Sequence, residues 1–251
     1  MGFLGIDSDE ATKAADVTAE QARAAANGGA LERAKLPDEG GLTGAATRLV
    51  ERLLDVGIDG RGPFDSAEKV AETALKHARG DVAQAIRIIR RDHRQIAAVG
   101  GFVTGLGGFF LMPLSLPANV LEFYLVGTRM TAATAKVRGY DLNEPEIRSA
   151  VLLTLIGADS DDLLKKAGVV APGGKWSNLA AGRLPAPALM VLNKAIGFRL
   201  LGRIGGSTFA RFGRAVPILG GVLGAVIDAY MLGRIGAQAA EEFPPVATYG
   251  R

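Results

Sequence analysis

Apolar residues recur at helical spacing in one segment after another along this chain. Ala46, Leu49, Val50, Leu53 and Leu54 fall at i, i+3, i+4, i+7 and i+8. That spacing puts them on one face and predicts a helix over Thr43–Gly57. Gly60–Pro63 breaks it. Asp65 and Glu68 then have the spacing of a capping box for a helix to Arg79, with Val70, Ala71, Ala74 and Leu75 inside. Gly80 ends that helix and Asp81 caps the next, which starts at Val82. Its first half, AIRIIRRDHRQI, mixes isoleucine with arginine. From Ile96 to Leu121 it then carries no charge over 26 residues, with five glycines and two prolines.

Pro113 removes a backbone donor, and Ser115-Leu-Pro117 has the residues to start a new helix. That helix runs to about Arg138 and presents Val120, Phe123, Met130, Thr134 and Val137 on one side, before Gly139 ends it. Asn143 caps another, with Pro145 and Glu146 in its first turn and Ile147, Val151, Leu152 and Leu155 inside. A short DDLLKK helix follows, opened by Asp161-Asp162, which favours its dipole. Val169–Ser177 reads as a loop. Helical pattern resumes at Pro187, continues through STFARFGRA, and ends in a segment from Pro217 to Phe243.

No alternating strand pattern stands out. The expected fold is all-α, a bundle of nine or ten helices built around a glycine-rich apolar helical hairpin. The hairpin candidates are Phe102, Leu106, Phe109, Phe110 and Leu111. Residues 1–41 have helix formers but almost no large apolar side chain, and read as a polar, mobile leader. Residues 42–243 form the expected single domain, and 244–251 a tail.

The uncharged stretch invites a membrane reading, and its length tests that reading. A straight 26-residue helix is about 39 Å long. The first arm, Ile96–Met112, is only about 25 Å, short of a hydrocarbon core of about 30 Å. The second arm carries Glu122, Arg129 and Lys136, each costing about 2.5–3.5 kcal/mol at a bilayer centre. The expectation is therefore a hairpin that is buried by default and meets lipid as a shallow or re-entrant wedge. Gly101-x-x-x-Gly105 and Gly220-x-x-x-Gly224 serve close helix contact in either setting. The second uncharged run, Ala215–Ile227, is too short to span alone.

Composition sharpens this picture. Hydrophobic residues make up 48 % of the chain and aromatics only 6 %, so small and aliphatic residues carry the apolar character. There are no cysteines, which excludes disulfides and thiolate sites and fits a cytoplasmic protein. The start, MGFLGIDSDE, lacks the basic and apolar regions of a signal peptide. Residues 1–72 hold 8 Lys/Arg against 14 Asp/Glu, while residues 73–251 hold 21 against 12. A basic, apolar body suits an anionic surface.

Arg87, Arg90, Arg91 and Arg94 share one helix face beside the uncharged stretch, a candidate footprint for anionic lipid headgroups. Arg199 and Arg203, with Arg211 and Arg214, precede the second uncharged run in the same way. Aromatic interleaving is sparse, so no specific nucleic-acid binding is expected. Asn119, Glu122, Arg129, Asn193, Lys194 and Asp228 interrupt apolar helices and are candidates for buried polar partners.

Catalytic chemistry is weakly supported. His77 and His93 have no zinc-ligand spacing, and both read as residues on polar faces. Gly105–Gly108 lacks the Lys-Ser/Thr and the preceding strand of a phosphate loop. No metal, cofactor or catalytic residue is expected, and the reading is non-enzymatic.

Several pieces together resemble the bacterial EcsC protein family. They are Gly105-Leu-Gly-Gly, Leu114-Ser-Leu-Pro117-Ala118, Gly139-Tyr140-Asp141-Leu142, Arg148 with Leu153 and Gly157, Asn193-Lys194, and Pro217 to Asp228. They span roughly Glu68–Phe243. The family often has Asp after Leu-Pro-Ala; here that position is Asn119. The resemblance implies a helical bacterial protein linked to membrane or secretion processes, and little chemistry. The expected function is peripheral association with the inner face of the cytoplasmic membrane or with a membrane complex. The partner is an anionic lipid surface or a protein complex, with a homo-oligomer allowed. The alternative is a soluble helical scaffold or assembly subunit binding another protein.

Overall fold

A computed structural model describes residues 41–61, 64–106, 108–157, 159–166, 176, 179, 184–205 and 217–246. Eight α-helices and no strand occur among them, so the all-α expectation holds. The helices are α1 (Gly41–Arg52), α2 (Ala67–His77), α3 (Val82–Leu106), α4 (Gly108–Val137), α5 (Pro145–Ile156), α6 (Asp159–Lys166), α7 (Ala186–Gly205) and α8 (Pro217–Glu242). The expected leader, residues 1–41, lies outside the described residues except for Gly41, which opens α1; most of the Val169–Ser177 loop and the STFARFGRA segment lie outside them too.

The first helix does not continue to Gly57 as its spacing suggests. After Arg52 it widens into a π-helical turn, Leu53–Ile58. The wider turn brings Leu53, Gly57 and Ile58 inward together. Gly57 lies so close to α4 that a Cβ there would sit 2.8 Å from Thr128 Cβ. Local turns of this kind re-aim a helix face within a single turn.

Helix α2 is capped one residue later than its sequence suggests. Ser66 accepts the Lys69 backbone N–H at 3.2 Å. Asp65 instead pairs with Lys69 Nζ at 2.7 Å. Asp81 caps α3 as expected, accepting from Gln84 N at 2.9 Å. Before α5, Asp141 accepts from both the Asn143 backbone and its side-chain amide, each at 2.9 Å. Those bonds hold the Asp141 carboxyl below its usual range. Asn143 thus belongs to a turn, and Glu144 stands at the cap with Pro145 as first helical residue.

The break after α3 also falls elsewhere than expected. The prolines at 113 and 117 lie within α4, which runs unbroken from Gly108. Helix α3 ends at Leu106 and α4 begins at Gly108. Each proline removes one backbone donor without ending the helix.

Helix α4 is the centre of the packing. It meets α2, α3, α5, α8 and the π turn, and every residue from Phe123 to Ala135 is buried. Helix α5 is buried almost all round, from Ser149 to Ile156. Polar residues in this core bond locally: Thr128 and Thr134 donate to carbonyls four residues back, at 2.7 and 2.8 Å. Thr154 reaches Thr131 across the α4–α5 contact at 3.2 Å.

Two devices hold the ends of the bundle. Arg148 on α5 makes two hydrogen bonds to the Asp59 carboxylate, at 2.7 and 2.8 Å, tying α5 to the π turn. Gly139 ends α4 at φ +94°, a conformation suited to glycine. Beside it, Arg138 donates to the carbonyls of Ala240 and Phe243 at the end of α8. Burial lowers the affinity of that guanidinium for its proton.

Candidate functional site

Among the described residues, helices α3 and α8 make the most extensive contact, and they run antiparallel. The reason lies in two of the predicted small-residue positions. A Cβ on Gly101 would sit 2.6 Å from the Gly224 carbonyl oxygen, and a Cβ on Gly224 would meet the Gly101 carbonyl in turn. The two backbones therefore touch, which only glycine permits on both sides.

From that crossing the helices stay in register toward the N-terminal half of α3. Arg94 Nε donates to the Ala229 carbonyl at 3.2 Å, and Arg90 Nη2 to the Gly233 carbonyl at 3.5 Å. Both side chains lie across glycines of α8: a Cβ on Gly233 would be 3.4 Å from Arg94 Nε, and one on Gly236 would be 3.1 Å from Arg90 Nε. Small residues on α8 thus make room for two arginine stems.

Above this contact lies an open groove of about 370 Å³. All four predicted arginines of α3 line it, with Gln95 beside them and Ala98 and Ala229 at its apolar end. No carboxylate lines it among the described residues. Arg91 pairs with Asp92 at 2.9 Å, outside the lining. Arg87, Arg91 and Arg94 are exposed and Arg90 is half-buried.

The same two helices also carry exposed apolar side chains. On α3, Val99 is 64 % and Phe102 39 % exposed. On α8, Val226 is 61 % and Tyr230 62 % exposed, with Val222 and Leu223 also open. Read from Gly101 and Gly224 outward, α3 runs Phe102, Val99, Gln95, Arg91, Arg87. Helix α8 runs Val222, Val226, Tyr230, Arg234 beside it. Both exposed rows pass from apolar to cationic in the same direction, with tyrosine at the boundary on α8.

The other predicted residues are placed as follows. Arg199 is half-buried on α7, which packs on α1 and α5 rather than on the groove. The side chains of Arg203, Leu106, Phe109, Phe110, Leu111 and Asn119 lie outside the described residues, as do Arg211 and Arg214. Arg129, Lys194 and Asp228 are buried. Asn193 is half-buried and accepts from Ser149 Oγ at 2.8 Å. Glu122 is exposed and not in the core as expected, while Val120 and Phe123 on either side of it are buried.

His93 also departs from expectation. It is only 4 % exposed, on the inward row of α3 with Ile89 and Ala97, and not on the arginine face. Its Nδ1 lies 2.8 Å from the Ile89 carbonyl, to which the neutral ring donates. Burial pushes its pKa down to about 4, and nearby Arg129 adds to that. Arg129 itself stacks on Phe64, 4.9 Å from the ring centre. No group of three or more acidic or histidine side chains is placed to hold a metal among the described residues.

Sequence reasoning found the α3 half of the groove but missed the α8 half. The available signal was the four-residue spacing of Ala225, Ala229 and Gly233, a small-residue row matched to the arginine row.

The EcsC protein family model matches residues 43–243, and the chain belongs to that family. The match begins earlier than the pieces that carried the resemblance, taking in α1 and the π turn. No curated protein and no solved structure matches the chain.

Proposed function

We propose that this protein associates peripherally with an anionic membrane surface through the α3–α8 face, without crossing the bilayer and without catalysing a reaction. One observation carries the reading: along both packed helices, α3 and α8, exposed side chains pass from apolar to cationic in the same direction, and on α3 they end in the arginine groove. Apolar side chains at one end suit the acyl boundary, tyrosine the interface, and arginine the headgroups. No helix among the described residues is long and apolar enough to cross a membrane.

Each arginine near an anionic leaflet contributes about 1 kcal/mol, so the three exposed ones supply about 3 kcal/mol at low salt. That part weakens as the screening length falls from about 10 Å at 0.1 M to about 3 Å at 1 M salt. The apolar part is insensitive to salt. Flotation with vesicles of phosphatidylcholine and phosphatidylglycerol, at low and high salt, tests the reading. Strong flotation that weakens with salt supports it. Absence of flotation at both salts, with a salt-insensitive oligomer by light scattering, overturns it in favour of a soluble scaffold that binds protein. The expected place is the inner face of the cytoplasmic membrane, which fractionation of cells checks.

A further inference from the structure

We infer that the arginine groove is a headgroup site for a lipid with two phosphodiesters, of the diphosphatidylglycerol type, with its acyl chains lying over the Gly101–Gly224 crossing. This deepens the reading above and rests on it.

The first ground is charge. Among the described residues, four guanidinium groups line the groove and no carboxylate does; Asp92 offsets Arg91 from outside. The balance is three positive charges. One phosphodiester would neutralise one of them, and two joined phosphodiesters neutralise two.

The second ground is geometry. Arg87 and Arg94 are seven residues apart, about 10.5 Å along the helix at ~1.5 Å per residue. That is too long a row for one phosphate. A phosphate oxygen pair accepts guanidinium N–H groups side by side. Arg90, Arg91 and Arg94 each give some N–H groups to Gly233, Asp92 and Ala229, and the remaining N–H groups along the row have the length to serve two phosphates. Basic pockets between helices are known as a form of headgroup recognition.

The third ground is preorganisation. Arg90 and Arg94 are already held by the Gly233 and Ala229 carbonyls. They lose less freedom on binding than solvated arginines would. Arg87 and Arg91 extend the row on the solvent side. The groove closes on Ala98 and Ala229, and the exposed Val99 and Val226 continue from there. A lipid whose headgroup fills the arginine end places its chains on that apolar end.

Vesicles of phosphatidylcholine with diphosphatidylglycerol are compared with vesicles holding twice the molar amount of phosphatidylglycerol, so that charge is equal. The full chain is expected to bind the first at least fivefold more tightly. The double variant R87Q/R91Q changes two exposed side chains, which leaves the fold in place by circular dichroism, and should abolish that preference. The deacylated headgroup should compete, and inorganic phosphate at the same concentration should not. Equal binding to both vesicles overturns the inference and leaves the peripheral reading standing. Competition by inorganic phosphate as strong as by the headgroup overturns it in favour of a free-phosphate site. Failure to bind either vesicle overturns both.

Discussion

Replacing Gly101 with alanine tests the α3–α8 contact on which the groove depends. The new Cβ would stand 2.6 Å from the Gly224 carbonyl oxygen and 2.6 Å from Asp228 Oδ2. The aspartate can swing aside, but the carbonyl belongs to a helix backbone and cannot. The helices must part, and overpacking of this kind costs about 1–3 kcal/mol. Alanine recovers about 1 kcal/mol of helix propensity. The net expectation is a loss of up to about 2 kcal/mol, or a fall in Tm of up to about 8 °C for a chain of this size. Gly202 on α7 supplies the opposite sign: nothing lies within 4 Å of a Cβ placed there. G202A should gain up to about 1 kcal/mol from the same propensity term. Urea unfolding followed by circular dichroism measures both, with equal slopes required for the comparison. If G101A is as stable as G202A, the backbone contact is not where the structure puts it.

Further expectations follow from other contacts. Replacing Arg148 by alanine removes two hydrogen bonds to Asp59 and should cost about 1 kcal/mol in urea unfolding, since that pair is partly exposed; R148K should recover less than half of it, because lysine lacks the fork. Glu242 is buried and accepts from the Trp176 backbone N–H and the Gln238 amide, at 3.0 and 2.9 Å. E242A should therefore cost about 1–3 kcal/mol, measured the same way. His93 has a folded pKa of about 4 against an ordinary 6.5. The unfolded chain therefore takes up the proton first, and stability falls as pH drops from 6.5 to about 4, by about 3 kcal/mol; below about 4 both states are protonated and this loss stops growing. H93L should remove that part of the acid limb, read as stability against pH.

The helices and most of their caps were legible in the sequence, because periodicity and cap chemistry are local. Asp81 before Val82 and Gly139 after Val137 are examples. What the sequence did not place depends on neighbours. The π turn at Leu53–Ile58 answers the close approach of α4 at Gly57. His93 sits among arginines in sequence, yet the helix turns it inward with Ile89. The α3 arginines were found as a row, but only the packing of α8 shows that two of them rest on Gly233 and Gly236. A single helix pattern carries no information on what lies across it. The glycines at 101 and 224 were the exception, because a small residue is itself a record of a close neighbour.

Peripheral association requires the exposed row of α8 to meet lipid. The chain has no native cysteine, so a single cysteine carrying an environment-sensitive fluorophore can be placed at will. Attached through V226C, on the exposed apolar row, the fluorophore should brighten and shift to the blue when anionic vesicles are added. Attached through E72C, on the exposed side of α2, it should not change. No change at position 226, or the same change at both positions, would contradict the account.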